Sequence, residues 1–209
     1  MFISKNLYIL STIILFFVLS GISFSQEDQK INGLNLLEIE KGEKSSPVTI
    51  IEYASYTCPH CATFHQNVFK KIEKEYVETG KVRFIYREIY FDAPGLWAGL
   101  LARCKNNSRY FGILDLLYEK QDLWSMANSE KEIVEQLLII AKQAGIEKQE
   151  ALACLNDKEK AIKLVDFMKL NVENDNISST PSFIINGTLY SNMNYDEIKE
   201  IIDSIISNF

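Results

Sequence analysis

The chain has 209 residues, with 22 basic against 28 acidic side chains for a net charge of −6, and 47% of its residues are apolar. That is enough to build one core-forming domain, or one domain with a large insertion, without covalent staples. An acidic chain without basic clusters argues against nucleic acid or an anionic membrane surface as a partner.

The first residues, "MFISKNLYILSTIILFFVLSGISFSQ", carry one cation, Lys5, then an apolar run from Leu7 to Val18. Ser23 and Ser25 follow as the small residues of a cleavage site before Gln26. This is the order of a secretory signal peptide over residues 1–25, with an uncleaved membrane anchor as the alternative. No cysteine lies near the site, which argues against a lipoprotein anchor. Either reading exports the remaining chain, where four cysteines are an even set that can pair. Beyond Gln26 no apolar run approaches the length of a membrane helix.

Residues 26–47 read as a flexible start with one edge strand in "LNLLEIE", ending in a turn. "VTIIEY" (48–53) is short, β-branched and nearly all apolar, as in a strand covered on both faces. A helix follows directly after Cys61, since Phe64, Val68, Ile72 and Tyr76 recur every four residues until Thr79-Gly80 stops it. "KVRFIYRE" (81–88) alternates Val82, Phe84 and Tyr86 against Arg83 and Arg87, which predicts a second strand. Strand, helix and strand with such short joins make a βαβ unit with parallel pairing.

From Ala93 to about Asn174 the periodicity is helical, over 94–105, 108–121, 129–144, 147–154 and 157–173. Ser129 with Glu132 forms a capping box. "STPSFIINGTLY" then gives a strand (182–185), an Asn186-Gly187 turn and a second strand (188–190). Asn194 with Glu197 caps a last helix whose Ile198, Ile201, Ile202, Ile205 and Ile206 form one stripe. The class is α/β: a βαβ unit, a helical block, a β-hairpin and a final helix.

Chemistry concentrates in "ASYTCPHCATFH", which holds Cys58, Cys61 and both histidines. A C-x-x-C at a strand-to-helix junction places the first sulfur at the helix amino end, where free N–H groups and the macrodipole favour a thiolate. Pro59 occupies the first turn, where a missing N–H costs nothing. His60 can donate a hydrogen bond or a charge to Cys58, and stabilising the thiolate makes the disulfide form oxidising. Cys61, one step into the helix, is the less exposed, resolving thiol.

A zinc site usually needs a second cysteine knuckle or a paired histidine; here Cys104 and Cys154 stand alone, and His65, four residues after Cys61, makes at most a three-ligand site conceivable. An inert structural disulfide across so short a loop is strained and stabilises little. Redox chemistry is therefore the favoured reading, with no metal and no cofactor. His65 reads as a packed or surface residue rather than a ligand, and Trp97 and Trp124 as core. Glu52 interrupts an apolar strand six positions before Cys58; buried there, it would have a raised pKa and could exchange a proton with Cys61. Its alternative is a place at the strand's exposed end. Thr180-Pro181 precedes a strand, and cis X-Pro recurs in tight functional turns, though sequence leaves the isomer open.

"IEYASYTCPHC" and "SSTPSF" together resemble the thioredoxin-fold disulfide oxidoreductases, and among them the DsbA proteins of bacterial envelopes. The resemblance implies a thioredoxin fold over residues 26–209 with a helical insertion at about 92–176. It makes Cys58 the attacking thiol, Cys61 the resolving thiol, Glu52 the buried acid, and Thr180-Pro181 the cis-proline loop that aligns the substrate strand. It implies a periplasmic dithiol oxidase acting on reduced exported proteins, and a DsbB-type membrane quinone reductase that reoxidises it. The rivals are a reductase or isomerase of the same fold, or a redox-inactive chaperone. Thr180 departs from the valine of many DsbA oxidases and matches isomerase-type relatives. Those isomerases oligomerise through a separate N-terminal segment; with only residues 26–47 before the first strand, a monomer is expected. Cys104 and Cys154 are a second departure, read as a structural disulfide between two helices in preference to free thiols or a second relay.

Overall fold

The computed structural model describes residues 36–105 and 107–208. The expected signal segment, residues 1–25, and residues 26–35 of the expected flexible start lie outside them. No helix among the described residues is long and apolar enough to cross a membrane.

Five strands form one sheet: β1 (Ile39–Lys41), β2 (Val48–Ala54), β3 (Val82–Glu88), β4 (Ser182–Ile185) and β5 (Thr188–Ser191), in the order β1-β3-β2-β4-β5. β2 and β3 pair in parallel, as a βαβ unit requires, and the other pairings are antiparallel. Helix α1 (residues 59–77) makes the crossover. Two stretches of it, His65–Phe69 and Glu73–Val77, are wound as π-helix. That widening puts Phe64 with Phe69, and Ile72 with Val77, on the buried face at a spacing of five, which an ideal α-helix would turn away.

The two-residue period of β2 sends consecutive side chains to opposite faces. Glu52 shares its face with its register partners Tyr86 and Phe183, under α1, where Phe64 packs on Phe183 at 4.5 Å between ring centroids. Tyr53 and Arg87 take the other face. There Tyr53 Oη donates to the Asn171 carbonyl at 3.3 Å and Arg87 Nη1 pairs with Asp175 at 2.8 Å, which docks the end of a later helix.

Between β3 and β4 the described residues form six α-helices, α2 (Ala93–Ala102), α3 (Tyr110–Glu119), α4 (Gln121–Ser125), α5 (Glu130–Gln143), α6 (Lys148–Leu155) and α7 (Lys158–Asn174), with a 3-10 turn (Asn107–Arg109) before α3. The periodicity predicted one helix over 108–121; the chain instead breaks at Lys120 (φ −109°, ψ 17°) and starts α4 at Gln121. Trp124 on α4 is fully buried and donates its indole N–H to the Leu117 carbonyl at 2.8 Å. A disulfide joins Cys104, just past α2, to Cys154 on α6, with Cα atoms 5.6 Å apart. Where β3 hands over to the helices, Glu88 and Arg103 form a buried bidentate pair at 2.7 Å, and Tyr110 donates to the same carboxylate at 2.9 Å. Burying both charges is tolerable only because each is paired and hydrogen-bonded.

The hairpin turns through Asn186 (φ 44°) and Gly187 (φ 85°), both left-handed, which suits the twist of the flanking strands. Last comes α8 (Tyr195–Ser207), with a complete capping box between Asn194 and Glu197; it packs its isoleucine stripe beside α1 and β2.

Candidate active site

The last residues of β2 lead through Ser55, Tyr56 and Thr57 to Cys58, the N-cap of α1. Pro59 at the first helical position restricts the residue before it to extended backbone, and Cys58 is extended (φ −86°, ψ 117°). The Cys58 N–H donates to the Ser55 carbonyl at 3.2 Å, and its own carbonyl accepts from Ala62 N at 3.1 Å, the first bond of the helix. Both thiols are free; Cys58 is 9% exposed and Cys61 fully enclosed.

The two sulfurs have opposite acidities. Cys58 is lowered to about 5. The largest cause is the hydrogen bond from the Cys61 thiol; burial opposes it, and the Thr180 side chain and the backbone N–H groups of Cys61 and His60 add to the lowering. Cys61 is pushed far up, first by burial, then by its bond to Cys58 and by the nearby Glu52 carboxylate. The helix amino end thus contributes, but the partner thiol contributes most. His60 and Pro59 are exposed, and the His60 backbone N–H is among the groups that favour the Cys58 thiolate.

Glu52 is completely buried, and neither of its carboxylate oxygens has a hydrogen-bond partner among the described residues. Enclosure drives its pKa well up, and the neighbouring Cys58 sulfur adds to this. An acid without hydrogen bonds is stable there only in its protonated form.

Thr180-Pro181 is a cis peptide bond. The Thr180 carbonyl lies 3.7 Å from Cys58 Sγ, so the segment leading into β4 faces the nucleophile. The site therefore unites Glu52, Cys58, Pro59, His60, Cys61, Thr180 and Pro181 from three sequence locations. Cys104 and Cys154 are bonded to each other in the helical block, apart from this group.

Several residues at the site carry no signal in the sequence. Gln121 on α4 donates from Nε2 to the carbonyls of Tyr56 (2.8 Å) and Cys58 (3.0 Å). Thr57 donates to Asp92 Oδ2 at 2.9 Å, while Asp92 Oδ1 caps α2 through Gly95 N at 2.7 Å. Tyr118 donates to the Ser55 carbonyl at 3.2 Å and meets Tyr86 hydroxyl to hydroxyl at 2.7 Å. His65 is 2% exposed, bonds Asp115 at 2.6 Å and stacks on Phe69. Among the described residues no group of three His, Cys, Asp or Glu side chains is placed to hold a metal ion.

The sequence model of the thioredoxin family matches residues 36–204. A Rickettsia prowazekii (strain Madrid E) protein, classed by its name with the protein-disulfide oxidoreductases, is 32% identical over 168 residues. The match takes in 80% of this chain and 61% of that relative, so the chain spans well under the relative's full length. Disulfide bond formation protein D of Bacillus subtilis (strain 168) is 30% identical over 169 residues, or 78% of this chain and 74% of that protein. Among solved structures, Wolbachia pipientis alpha-DsbA1 superposes with a TM-score of 0.76 at 28% identity, covering 85% of this chain and 96% of that one. The chain belongs to the thioredoxin family, on its DsbA-like branch.

Proposed function

We propose that this protein is a periplasmic dithiol oxidase that donates a Cys58–Cys61 disulfide to reduced, newly exported proteins. The observation that carries the reading is the pairing of a Cys58 lowered to about 5 with a Cys61 held protonated. A stabilised thiolate favours the reduced enzyme and so gives the disulfide form a high tendency to be passed on.

In the first half-reaction a client thiolate attacks Cys58 Sγ. The Cys58–Cys61 bond breaks, its electron pair leaves on Cys61, and Cys61 takes a proton supplied from Glu52. The client's second thiolate then attacks its own sulfur in the mixed disulfide, and Cys58 leaves as the stabilised thiolate. The client has lost two electrons and two protons; the enzyme holds the electrons as the Cys58 thiolate and the Cys61 thiol, one proton restores Glu52, and the other goes to solvent. Regeneration needs a two-electron acceptor, and a DsbB-type membrane quinone reductase fits the family.

The protein works as a monomer in this reading, with Cys104–Cys154 as a structural bridge. The cis-proline segment aligns the client's extended chain, and Phe91, next in sequence to Asp92, with Leu123 and Met126, on and just past α4, offers exposed apolar surface to it. Oxidation of a reduced peptide by wild type and by Cys58→Ala tests the enzyme assignment, and retained turnover in the variant defeats it. A glutathione equilibrium as reducing as a thioredoxin's would instead identify a reductase or isomerase.

A further inference from the structure

We infer that Gln121 is a positioning residue for Cys58: its side-chain amide fixes the carbonyl of the nucleophile's own peptide and so the direction in which Sγ faces. The inference rests on the redox reading of the CPHC site. Gln121 is 5% exposed and opens α4, in the inserted helical block. Its Nε2 has two protons, and two carbonyls of the active-site turn lie within reach, Tyr56 at 2.8 Å and Cys58 at 3.0 Å. An amide nitrogen can donate no more than this, so its donor capacity is fully used on the backbone that flanks the nucleophile.

The geometry makes the Cys58 carbonyl a sensitive place to hold. The torsion that sets the direction of that carbonyl is ψ of Cys58, here 117°. The same torsion sets where the His60 and Cys61 N–H groups lie relative to Cys58 Sγ, and both of those groups favour the thiolate. Pro59 confines ψ to the extended range but leaves tens of degrees open within it. Gln121 narrows that range from outside the helix, by a bond made in addition to the one from Ala62 N. The Tyr56 bond anchors the other end of the three-residue turn. A residue of the inserted block thereby holds the thiolate's hydrogen-bond cradle together without touching either sulfur.

The test compares the full chain with Gln121→Met, which keeps side-chain length without a donor, and Gln121→Asn, which keeps the amide but withdraws it. Reduced protein is titrated by thiolate absorbance, equilibrated with glutathione, and melted in both redox states. In either variant that folds, the Cys58 midpoint rises by about one pH unit and the glutathione equilibrium moves about tenfold toward retaining the enzyme disulfide. The melting loss falls mainly on the reduced form. A folded variant whose titration and glutathione equilibrium overlay the wild type overturns the inference, and equal melting losses in both redox states do so as well. A wild-type protein as reducing as a thioredoxin would defeat the oxidase reading while leaving this comparison between variants intact.

Discussion

Cys58 and Cys61 stand three residues apart on one turn of α1, and the fold drives their thiols in opposite directions, Cys58 down to about 5 and Cys61 far up. In the function proposed above, this asymmetry makes Cys58 the attacked sulfur and Cys61 the resolving one. Cys58→Ala abolishes oxidation of a reduced peptide. Cys61→Ala leaves a nucleophile with no resolving partner, so a mixed disulfide with the peptide accumulates, visible on a non-reducing gel. A Cys61→Ala protein that forms no such adduct but still reacts through another thiol would break the assignment.

Glu52 gives a prediction in which activity and stability move apart. Glu52→Leu removes a buried carboxyl whose oxygens lack partners among the described residues, and stabilises the fold by about 1–3 kcal/mol at neutral pH. The sign with pH follows from the raised pKa: the folded state holds the proton longer than the unfolded chain, whose value is 4.5. Wild-type stability from this group is fully present below that value and is lost as pH rises toward the folded pKa, a slope absent in Glu52→Leu. Peptide oxidation by the same variant slows by about a hundredfold, the ordinary contribution of a placed proton carrier. Urea unfolding across pH, alongside turnover, measures both.

His65 titrates in the opposite sense. Burial lowers its pKa below the usual 6.5, outweighing the Asp115 carboxylate. The unfolded chain therefore takes up the proton first, and stability falls as pH drops below about 6.5 toward the folded value. Replacing His65 with Met removes this segment of the pH dependence. Unfolding free energies at about pH 7.5 and about pH 5 should differ less in the variant than in wild type, and an unchanged difference would mean another group is responsible.

The Glu88–Arg103 pair joins the sheet to the helical block. Arg103→Met alone leaves a buried carboxylate with tyrosine hydroxyls but no cation, and costs about 3–5 kcal/mol. Adding Glu88→Met should recover most of that loss, because the unpaired charge disappears with it. A double variant no more stable than the single one would show that packing, not charge, is at stake.

The elements of this fold were largely legible because they obey strong local rules. The alternation of "KVRFIYRE", the Asn186-Gly187 turn and the Asn194–Glu197 box each carry their own geometry. The positions of Cys58, Cys61 and the buried Glu52 were legible for a similar reason: a charge in an apolar strand and two thiols at a helix start are local contradictions of the pattern. What the sequence hid depends on distant partners. Gln121 looks like any polar helical residue until α4 is docked against the active-site turn. The break at Lys120 goes unseen because "LLYEKQDLW" satisfies helical periodicity on both sides of it.

The most direct test is a pH titration of the Cys58 thiolate in the reduced protein, with Cys61→Ala run beside it to separate the partner thiol's contribution. A lowered pKa means that the reduced form gains stability over the disulfide form between about 5 and the ordinary value of 9.0, and loses it as pH falls through about 5. The predicted outcome is a midpoint of about 5 in wild type, with a rise when Cys61 is removed. A wild-type midpoint near 9.0, as for an unperturbed cysteine, would contradict the account.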